Sequence, residues 1–434
     1  MWPSTENRTF ELDPPYLDLI ASPMKRLLRQ PPGRTWALLS SLTALASCGG
    51  YHDHGCWNCG SFTPTEVSVG LVAGNFANNG HASIVATSTV LYDQINPGNL
   101  KSYLSTGPGT FAAPVLIPDG DDPLFLASAD LNGDTLPDVV SASYNDGTLA
   151  VFFNSLQKPG SFSTPLILAS PGASQVAIGD LNGDGLPDLV SADFGVSLFV
   201  QTSPGAFSSP ISLYAGGANW VAVGDLNGDG AADVALADNV GVKVLMHTGA
   251  PSATTFAAPV TVFTQTVNSD VAGANVIAIF DVNGDGLNDL IITDPGPTGG
   301  TAPTVSVLLQ DAAHPGQFLA ATSYPTAAGS LAQSIVVTDV DGDGHPDIVI
   351  GGTGAVTVLL NASTAGTFMA AANYAVTNSN QIAIADVNGD GHPDIIVATG
   401  LSQTVENGIT TNKPGVLLQN AGSPGTFGSL QDLP

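Results

Sequence analysis

Residues 180–188 read DLNGDGLPD, and this nine-residue segment decides the fold because it recurs along the chain. Six copies align without gaps, at 130–138, 180–188, 225–233, 281–289, 339–347 and 386–394. A seventh, degenerate copy begins at Asn75, and the start-to-start spacings from it are 55, 50, 45, 56, 58 and 47 residues. A fixed segment at variable spacing indicates a structural repeat with insertions in its loops.

Each repeat carries four short apolar runs around this segment. VAIG at 176–179 enters the motif, DLVSA at 188–192 leaves it, and a third run such as VTVLLN at 356–361 follows. A turn of the P-G-x-F kind precedes the fourth run. The runs are rich in β-branched residues and bounded by Gly, Pro, Asn and Asp, so they predict strands.

Seven repeats of four strands predict an all-β fold, a seven-bladed β-propeller of four-stranded blades. An open β-solenoid is the alternative, but its coils are usually shorter than these repeats. Both ends of the repeat region complete whole blades, so closing the ring requires no exchange of strands between the termini.

The charge balance excludes nucleic acid as a partner. The chain has 37 acidic and 9 basic residues, a formal net charge of −28, although charged residues make up only 11% of it. Binding to nucleic acid needs a basic surface. Residues 48–434 contain no arginine and have four basic and 33 acidic residues, a formal net charge of −29.

The motif D-x-[ND]-G-D-G-x-x-D places oxygen-bearing side chains at positions 1, 3, 5 and 9. Calcium takes six to eight oxygen ligands, and a tight loop can direct alternate side chains at one ion. Glycine at position 6 suits a turn with positive φ. Thr135 replaces that glycine in the first full copy, which predicts strain there.

These motifs resemble the FG-GAP/VCBS repeat family, whose relatives include the integrin α-subunit propellers, over residues 67 to 434. The resemblance implies calcium loops that join the first and second strands of a blade, on the face opposite the ligand-binding loops. It also implies that position 7 contributes only its backbone carbonyl.

Carried over motif by motif, the resemblance implies about six Ca²⁺ sites. Their ligands are Asp130, Asn132, Asp134, Leu136 and Asp138; Asp180, Asn182, Asp184, Leu186 and Asp188; Asp225, Asn227, Asp229, Ala231 and Asp233; Asp281, Asn283, Asp285, Leu287 and Asp289; Asp339, Asp341, Asp343, His345 and Asp347; and Asp386, Asn388, Asp390, His392 and Asp394. The degenerate copy offers Asn75, Ala77, Asn79 and Ser83, has no carboxylate, and is expected to bind no ion.

The N-terminal region, residues 1–47, has the pattern of an export signal. A basic stretch from Met24 precedes an apolar run that is too short to span a bilayer and ends in small residues. The sequence Leu45–Cys48 resembles a bacterial lipobox, so we expect translation to begin at Met24 and a lipid on Cys48. Gly49 after the Cys favours the outer membrane or the cell surface.

A tether, residues 48–66, would then join the lipid to the propeller. Cys56 and Cys59 form a C-x-x-C beside His52 and His54. This pattern fits either a local disulfide in an oxidising compartment or a zinc site, and the sequence leaves both open.

A binding module is the predicted function, most plainly an adhesion or protein-interaction scaffold and a monomer. No nucleophile motif or catalytic constellation is present, and an enzyme is therefore not expected. The loops opposite the ion sites carry Tyr144, Phe194 and Trp220, each a candidate ligand contact or a packing residue. A lectin is the alternative, and a polysaccharide-active enzyme a weaker one.

Overall fold

The structure is a computed structural model, which describes residues 65–67, 69–91, 98–120, 123–249, 254–264, 276–294, 303–327, 331–362, 366–376, 379–398, 403–406, 409–412 and 414–433. The expected signal region and lipidation site, and the tether up to residue 64 with Cys56 and Cys59, lie outside the described residues.

The described residues form β-strands and no helix. In chain order the strands are β1 Thr65–Val67, β2 Leu71–Gly74, β3 Ser83–Leu91, β4 Gly98–Tyr103, β5 Ser105–Gly107, β6 Thr110–Phe111, β7 Val115–Gly120, β8 Pro123–Ala129, β9 Asp138–Ser143, β10 Thr148–Phe152, β11 Asn154–Ser155, β12 Lys158–Phe162, β13 Leu166–Ala169, β14 Gln175–Gly179, β15 Asp188–Ala192, β16 Val196–Phe199, β17 Gln201–Ser203, β18 Ala206–Phe207, β19 Ile211–Tyr214, β20 Trp220–Gly224, β21 Asp233–Ala237, β22 Gly241–Leu245, β23 Val260–Thr264, β24 Ile277–Phe280, β25 Asp289–Asp294, β26 Thr304–Leu308, β27 Thr322–Pro325, β28 Ala332–Thr338, β29 Asp347–Gly352, β30 Ala355–Leu359, β31 Ala372–Ala375, β32 Ile382–Ala385, β33 Asp394–Val397, β34 Gln403–Glu406, β35 Ile409–Asn412, β36 Gly415–Leu417 and β37 Gln431–Asp432.

Seven four-stranded antiparallel sheets form the blades. In order from blade 1 to blade 7 they are β2–β3–β4–β7, β8–β9–β10–β13, β14–β15–β16–β19, β20–β21–β22–β23, β24–β25–β26–β27, β28–β29–β30–β31 and β32–β33–β36–β37. The first strands of neighbouring blades contact each other in a closed ring, in which β32 returns to β2. The predicted seven-bladed β-propeller is therefore confirmed. None of the described segments forms an apolar helix of membrane-spanning length.

The second strand of a blade lies between the two neighbouring blades and is buried along its length. Every residue of β15 and of β21 is buried. Because both faces of such a strand are covered, its sequence is a continuous run of small and apolar residues rather than an alternating one. The fourth strand lies outside, and β13 accordingly alternates between half-buried and exposed residues.

Each interface between neighbouring blades contains its own apolar cluster. Where the ring closes, Leu71 and Ile84 of blade 1 pack with Ile396 and Val416 of blade 7, all at most 3% exposed. Within the described residues seven such clusters correspond to the seven interfaces. The apolar burial that stabilises the fold is therefore distributed around the ring.

A further sheet links the two ends of the repeat region. The hairpin β34–β35 is an insertion between the second and third strands of blade 7. Its strand β35 pairs with β1, and β1 pairs with the far end of β3 in blade 1. Blades 1 and 7 are each built from one contiguous part of the chain, as expected, and this additional pairing connects them.

Side chains bridge the inner strands across the centre of the ring. The rings of Phe125 in blade 2 and Trp220 in blade 4 meet edge to face, with centroids 5.3 Å apart. Gln381 of blade 7 accepts from Leu71 N and Leu126 N and donates to Leu126 O. The contacts of Phe125 with Trp220 and of Gln381 with Leu126 join blades that are not neighbours and fix the inner strands relative to one another.

The P-G-x-F turns form contacts between consecutive blades. In blade 7 the turn closes a hairpin in which Gln419 pairs with Phe427. Gly425 has a φ of 75°, and a Cβ built there would lie 2.8 Å from Leu360 Cδ1 and 3.0 Å from Asp341 Cβ of blade 6. Both the backbone conformation and the close approach of blade 6 therefore require glycine.

We expect Gly425→Ala to destabilise the protein by about 1–3 kcal/mol, because the methyl group meets a packed neighbour at a left-handed backbone position. The unfolding free energy in urea measures the effect. Gly422→Ala is the control, since Gly422 lies in the same turn with nothing within 4 Å of an added Cβ. Equal stability of both variants would contradict this assignment.

Candidate metal-binding loops

The six full motifs form equivalent loops at one end of the blades. Each loop joins the first strand of its blade to the second, and its ninth residue begins the second strand, as Asp188 begins β15. The loops therefore lie on one face of the propeller, while the turns between second and third strands lie on the opposite face. This is the placement that the resemblance implied.

The position-1 aspartate organises the loop by accepting backbone hydrogen bonds. In all six loops its Oδ2 accepts from the N–H of position 6 at 2.7–2.9 Å. In five loops its Oδ1 also accepts from position 4 at 2.6–2.7 Å. The backbone thus folds around this carboxylate.

Positions 3 and 5 repeat the pattern at shorter range. The side chain of position 3 accepts from the N–H of position 5 at 2.8–3.1 Å in all six loops. The side chain of position 5 accepts from the N–H of position 7 at 2.8–2.9 Å. Each of these oxygens keeps a second lone pair that a cation can use.

The loop needs positive φ at positions 4 and 6. Position 4 is always glycine, with φ between 67° and 79°. Position 6 is glycine in five loops, with φ between 83° and 89°, and Thr135 in the sixth, with φ of 72°. Since a β-branched residue rarely takes such a conformation, the predicted strain at Thr135 is present.

The position-9 aspartate is fully buried and holds the loop to the blade. Its Oδ2 accepts from the N–H of position 2 at 2.7–3.1 Å. Its Oδ1 accepts from the second residue after the third strand at 2.6–2.9 Å. The motif alone did not indicate this second partner, because it lies 13 to 25 residues away.

Burial raises the pKa of these carboxyls. The pKa of Asp188 is raised to about 6 by desolvation, against the lowering effect of the N–H donors of Gln201 and Leu181. The charges of Asp184 and Asp180 raise it further. Asp138, Asp233, Asp289 and Asp347 have pKa values raised to about 6 for the same reasons, and that of Asp394 is also raised. A cation in the loop would offset both the desolvation and the repulsion.

The blade 6 loop has the tightest group of carboxylates. Oxygens of Asp339, Asp341 and Asp347 all lie within 4.8 Å of one another, and no other three carboxylates of the described residues come this close. Two ligands of one Ca²⁺, bound at 2.3–2.6 Å, stand at most about 5 Å apart. The donor set and its spacing in this loop fit a calcium ion.

The position-7 residues contact the loop through their backbone N–H groups, and their predicted role as carbonyl ligands stays a prediction. The N–H groups of His345 and His392, like those of Leu136, Leu186, Ala231 and Leu287, donate to the aspartate at position 5. Because residues as different as Leu, Ala and His make this contact, the side chain at position 7 is not selected by it.

The degenerate loop keeps the backbone arrangement without carboxylates. Asn75 accepts from the N–H groups of Asn79 and Gly80, and Asn79 accepts from that of His81. Ser83 takes the place of the buried aspartate and accepts from Ser105 N at 3.0 Å. The loop conformation is therefore encoded by short-range hydrogen bonds, and the charge of the other six loops is an addition to it.

Comparison with known sequences identifies the repeats. The model of the FG-GAP-like repeat matches residues 130–191, 180–236, 281–350 and 339–397, which together cover more than half of the chain. No curated protein sequence matches this chain at a significant level.

Comparison with solved structures supports the architecture. A lectin of Agrocybe aegerita, described as specifically recognising non-reducing terminal N-acetylglucosamine, is 20% identical, with a TM-score of 0.51 over 74% of this chain and 82% of that one. A protein from Lactobacillus plantarum is 15% identical, with a TM-score of 0.48 over 72% and 85%. At 20% identity the likeness to the lectin concerns the fold alone.

We expect Thr135→Gly to stabilise the protein by about 1 kcal/mol, because glycine takes positive φ without the clash of a side chain. Thermal unfolding measures the change. The reverse substitution in the next loop, Gly185→Thr, should lower the melting temperature by a similar amount. A stabilising Gly185→Thr would contradict the role given to φ at position 6.

Proposed function

The chain belongs to the FG-GAP-like repeat family, and from that premise we propose that it is a calcium-stabilised binding module, exported and displayed at the cell surface, that binds another protein. The seven-bladed fold and the absence of a catalytic constellation in the sequence support a binding role. The observation that carries the proposal is an aromatic pair, the exposed Phe194 and the half-buried Tyr144, on the face opposite the candidate metal loops.

Phe194 is the exposed member of this aromatic pair. It is 66% exposed, the highest value among the large apolar side chains of the described residues. It lies in the turn between β15 and β16, and its ring meets that of Tyr144 in blade 2 edge to face at 6.3 Å. An exposed aromatic ring of this kind is a frequent anchor in protein interfaces.

The turn that carries Phe194 is held rigidly. Asp193 accepts from Gly195 N at 2.7 Å, from Ser197 Oγ at 2.6 Å and from Ser170 Oγ at 3.2 Å. The ring also lies so close to Gly172 that a Cβ there would be 2.9 Å from Phe194 Cε1. Because the ring is already fixed, a partner that binds it loses little conformational entropy.

Acidic residues flank the aromatic pair in the sequence, with Asp193 directly before Phe194 and Asp146 two residues after Tyr144. Asp146 follows Tyr144 in the same turn, and its charge acts on Asp119 at the end of the neighbouring outer strand. Burial, together with this repulsion, raises the pKa of Asp119 to about 7, against the hydrogen bond from Ser141. With no arginine in residues 48–434, such a surface complements a neutral or basic partner rather than an acidic one.

Trp220 takes the packing role that the sequence left open. It is 6% exposed, and its Nε1 donates to Ile277 O at 3.0 Å. It therefore belongs to the inner wall of the propeller, and the candidate ligand contacts are Tyr144 and Phe194 at the outer part of blades 2 and 3.

The proposed display at the surface depends on the lipid at Cys48. Strand β1 pairs with Thr89–Leu91, the end of β3 away from the loop at Asn75, so the chain enters the propeller on the face of the aromatic pair. The 17 residues from 48 to 64 reach about 60 Å when extended, which allows the propeller to turn relative to a membrane. A mature protein whose mass lacks a diacylglyceryl group would exclude this anchor.

Carbohydrate binding is the second candidate. The exposed ring of Phe194, beside the half-buried ring of Tyr144, suits the apolar face of a sugar, and the Agrocybe aegerita lectin is an instance of this fold with a sugar ligand. The lack of arginine removes a common donor to sugar hydroxyls, which favours a protein partner.

We expect Phe194→Ala to weaken binding of the partner about 30-fold, the loss typical of an aromatic anchor. Ligands come from two sources, proteins recovered from crosslinked cells and the sugars of a glycan array. The affinity of each variant for these ligands is measured in the presence of calcium. Val240→Ala is the control, because Val240 lies in the corresponding turn of blade 4 and is 53% exposed. Undiminished binding by Phe194→Ala would overturn the aromatic site, and hits confined to the array would favour the lectin.

We expect calcium removal to lower the melting temperature by about 10–20 °C relative to 10 mM Ca²⁺. A site with a dissociation constant of 10⁻⁴–10⁻³ M contributes about 1.4–2.7 kcal/mol at that concentration, and six sites add. Thermal unfolding in EDTA, followed by re-addition of CaCl₂ or MgCl₂, measures the effect and its selectivity. An unchanged melting temperature would contradict the stabilising role.

A further inference from the structure

In four of the blades one residue contacts two consecutive loops. It is the second residue after the third strand, a position named the bridging residue here, and the four cases with both contacts are Asn154, Gln201, Asn361 and Gln419. Its backbone N–H donates to the position-9 aspartate of its own blade. Its side-chain amide donates to the carbonyl of position 2 in the preceding blade.

These contacts connect buried aspartates of neighbouring loops. Val340 N donates to Asp347 at 2.9 Å, Gln419 Nε2 donates to Val340 O, and Gln419 N donates to Asp394 at 2.9 Å. Three hydrogen bonds, through Val340 and Gln419, thus connect Asp347 in the loop of blade 6 to Asp394 in the loop of blade 7.

The same path joins blades 5 and 6. Val282 N donates to Asp289 at 3.1 Å, Asn361 Nδ2 donates to Val282 O at 2.9 Å, and Asn361 N donates to Asp347 at 2.7 Å. Asp289, Asp347 and Asp394 are therefore linked in one series, and all residues of the series are at most 5% exposed. Blades 2 and 3 are linked likewise through Leu131 and Gln201.

The P-G-x-F turns add a second contact along the same interfaces. Gly205 N donates to Leu131 O, and Gly109 N donates to Val387 O, both at 2.8 Å. Each turn of blades 1 and 3 therefore holds the position-2 carbonyl of the loop before it. The contact of Gly109 crosses the point where blade 7 meets blade 1.

We infer that the calcium loops of blades 5, 6 and 7 bind their ions cooperatively, through the bridging residues Asn361 and Gln419. The inference rests on the proposed calcium binding and adds a coupling between the sites. An ion in one loop fixes its position-9 aspartate and position-2 peptide, which fixes the bridging amide and, through it, the aspartate of the next loop. The second ion then orders fewer groups and binds more tightly.

The series ends at blade 1. Asn154 Nδ2 donates to Phe76 O at 2.9 Å, so the bridge from blade 2 is present, but it leads to the loop with Ser83 in place of the aspartate. The coupling therefore stops at blade 1, because its loop has no carboxylate.

Gln419→Met and Gln310→Met form a matched pair for the test. Both glutamines are bridging residues, buried to within 5% exposure, and both have an Oε1 without a hydrogen-bond partner. Both donate through Nε2 to the position-8 carbonyl of their own loop, Pro393 or Asn288. Gln419 alone of the two also donates to the preceding blade, at Val340 O.

Calcium titration of the mature full chain by calorimetry tests the coupling. The wild type should bind with a Hill coefficient above 1, from an affinity gain of about five-fold or more between coupled sites. Gln419→Met should lower the Hill coefficient, and Gln310→Met should leave it at the wild-type value. Asn361→Leu tests the same link between blades 5 and 6 if Gln419→Met does not fold.

The outcomes separate the inference from the proposed function. If the wild type takes up no calcium, the proposed calcium binding fails. If it binds calcium at independent sites, or if the Hill coefficients of Gln419→Met and Gln310→Met are equal, the coupling is overturned while calcium binding stands.

Discussion

The buried aspartate at position 9 of each loop is the contact on which the rest of the structure depends. With one oxygen it accepts a backbone N–H from the loop, and with the other it accepts one from the end of the third strand. It therefore joins the first, second and third strands of a blade at one point. Its burial without a counter-charge raises its pKa, and the proposed cation in the loop would offset that cost.

The propeller and the loops could be predicted from the sequence because their causes are local. A nine-residue motif, four β-branched runs and a P-G-x-F turn recur within each repeat, and the strain at Thr135 follows from one missing glycine. The contacts of Gln419 with Val340 could not be predicted, since they depend on how closely two blades approach. The same is true of Trp220, whose burial depends on Phe125 of another blade.

The two faces of the propeller have different physical roles. On one face the bridging residues hydrogen-bond the loops of neighbouring blades to each other. On the other face the turn of Phe194 is rigid but leaves its ring exposed. The large negative charge belongs mainly to the first face, where 19 carboxylates lie in the six motifs. Six calcium ions would reduce the formal charge of residues 48–434 from −29 to about −17.

The number of calcium ions bound per chain tests the central claim most directly. Equilibrium dialysis of the mature protein with radioactive calcium, followed by elemental analysis, gives this number without reference to stability or ligand. The account predicts six ions, and five after Asp184→Ala together with Asp188→Ala in the blade 3 loop. A count near zero, or six ions in that variant, would contradict it.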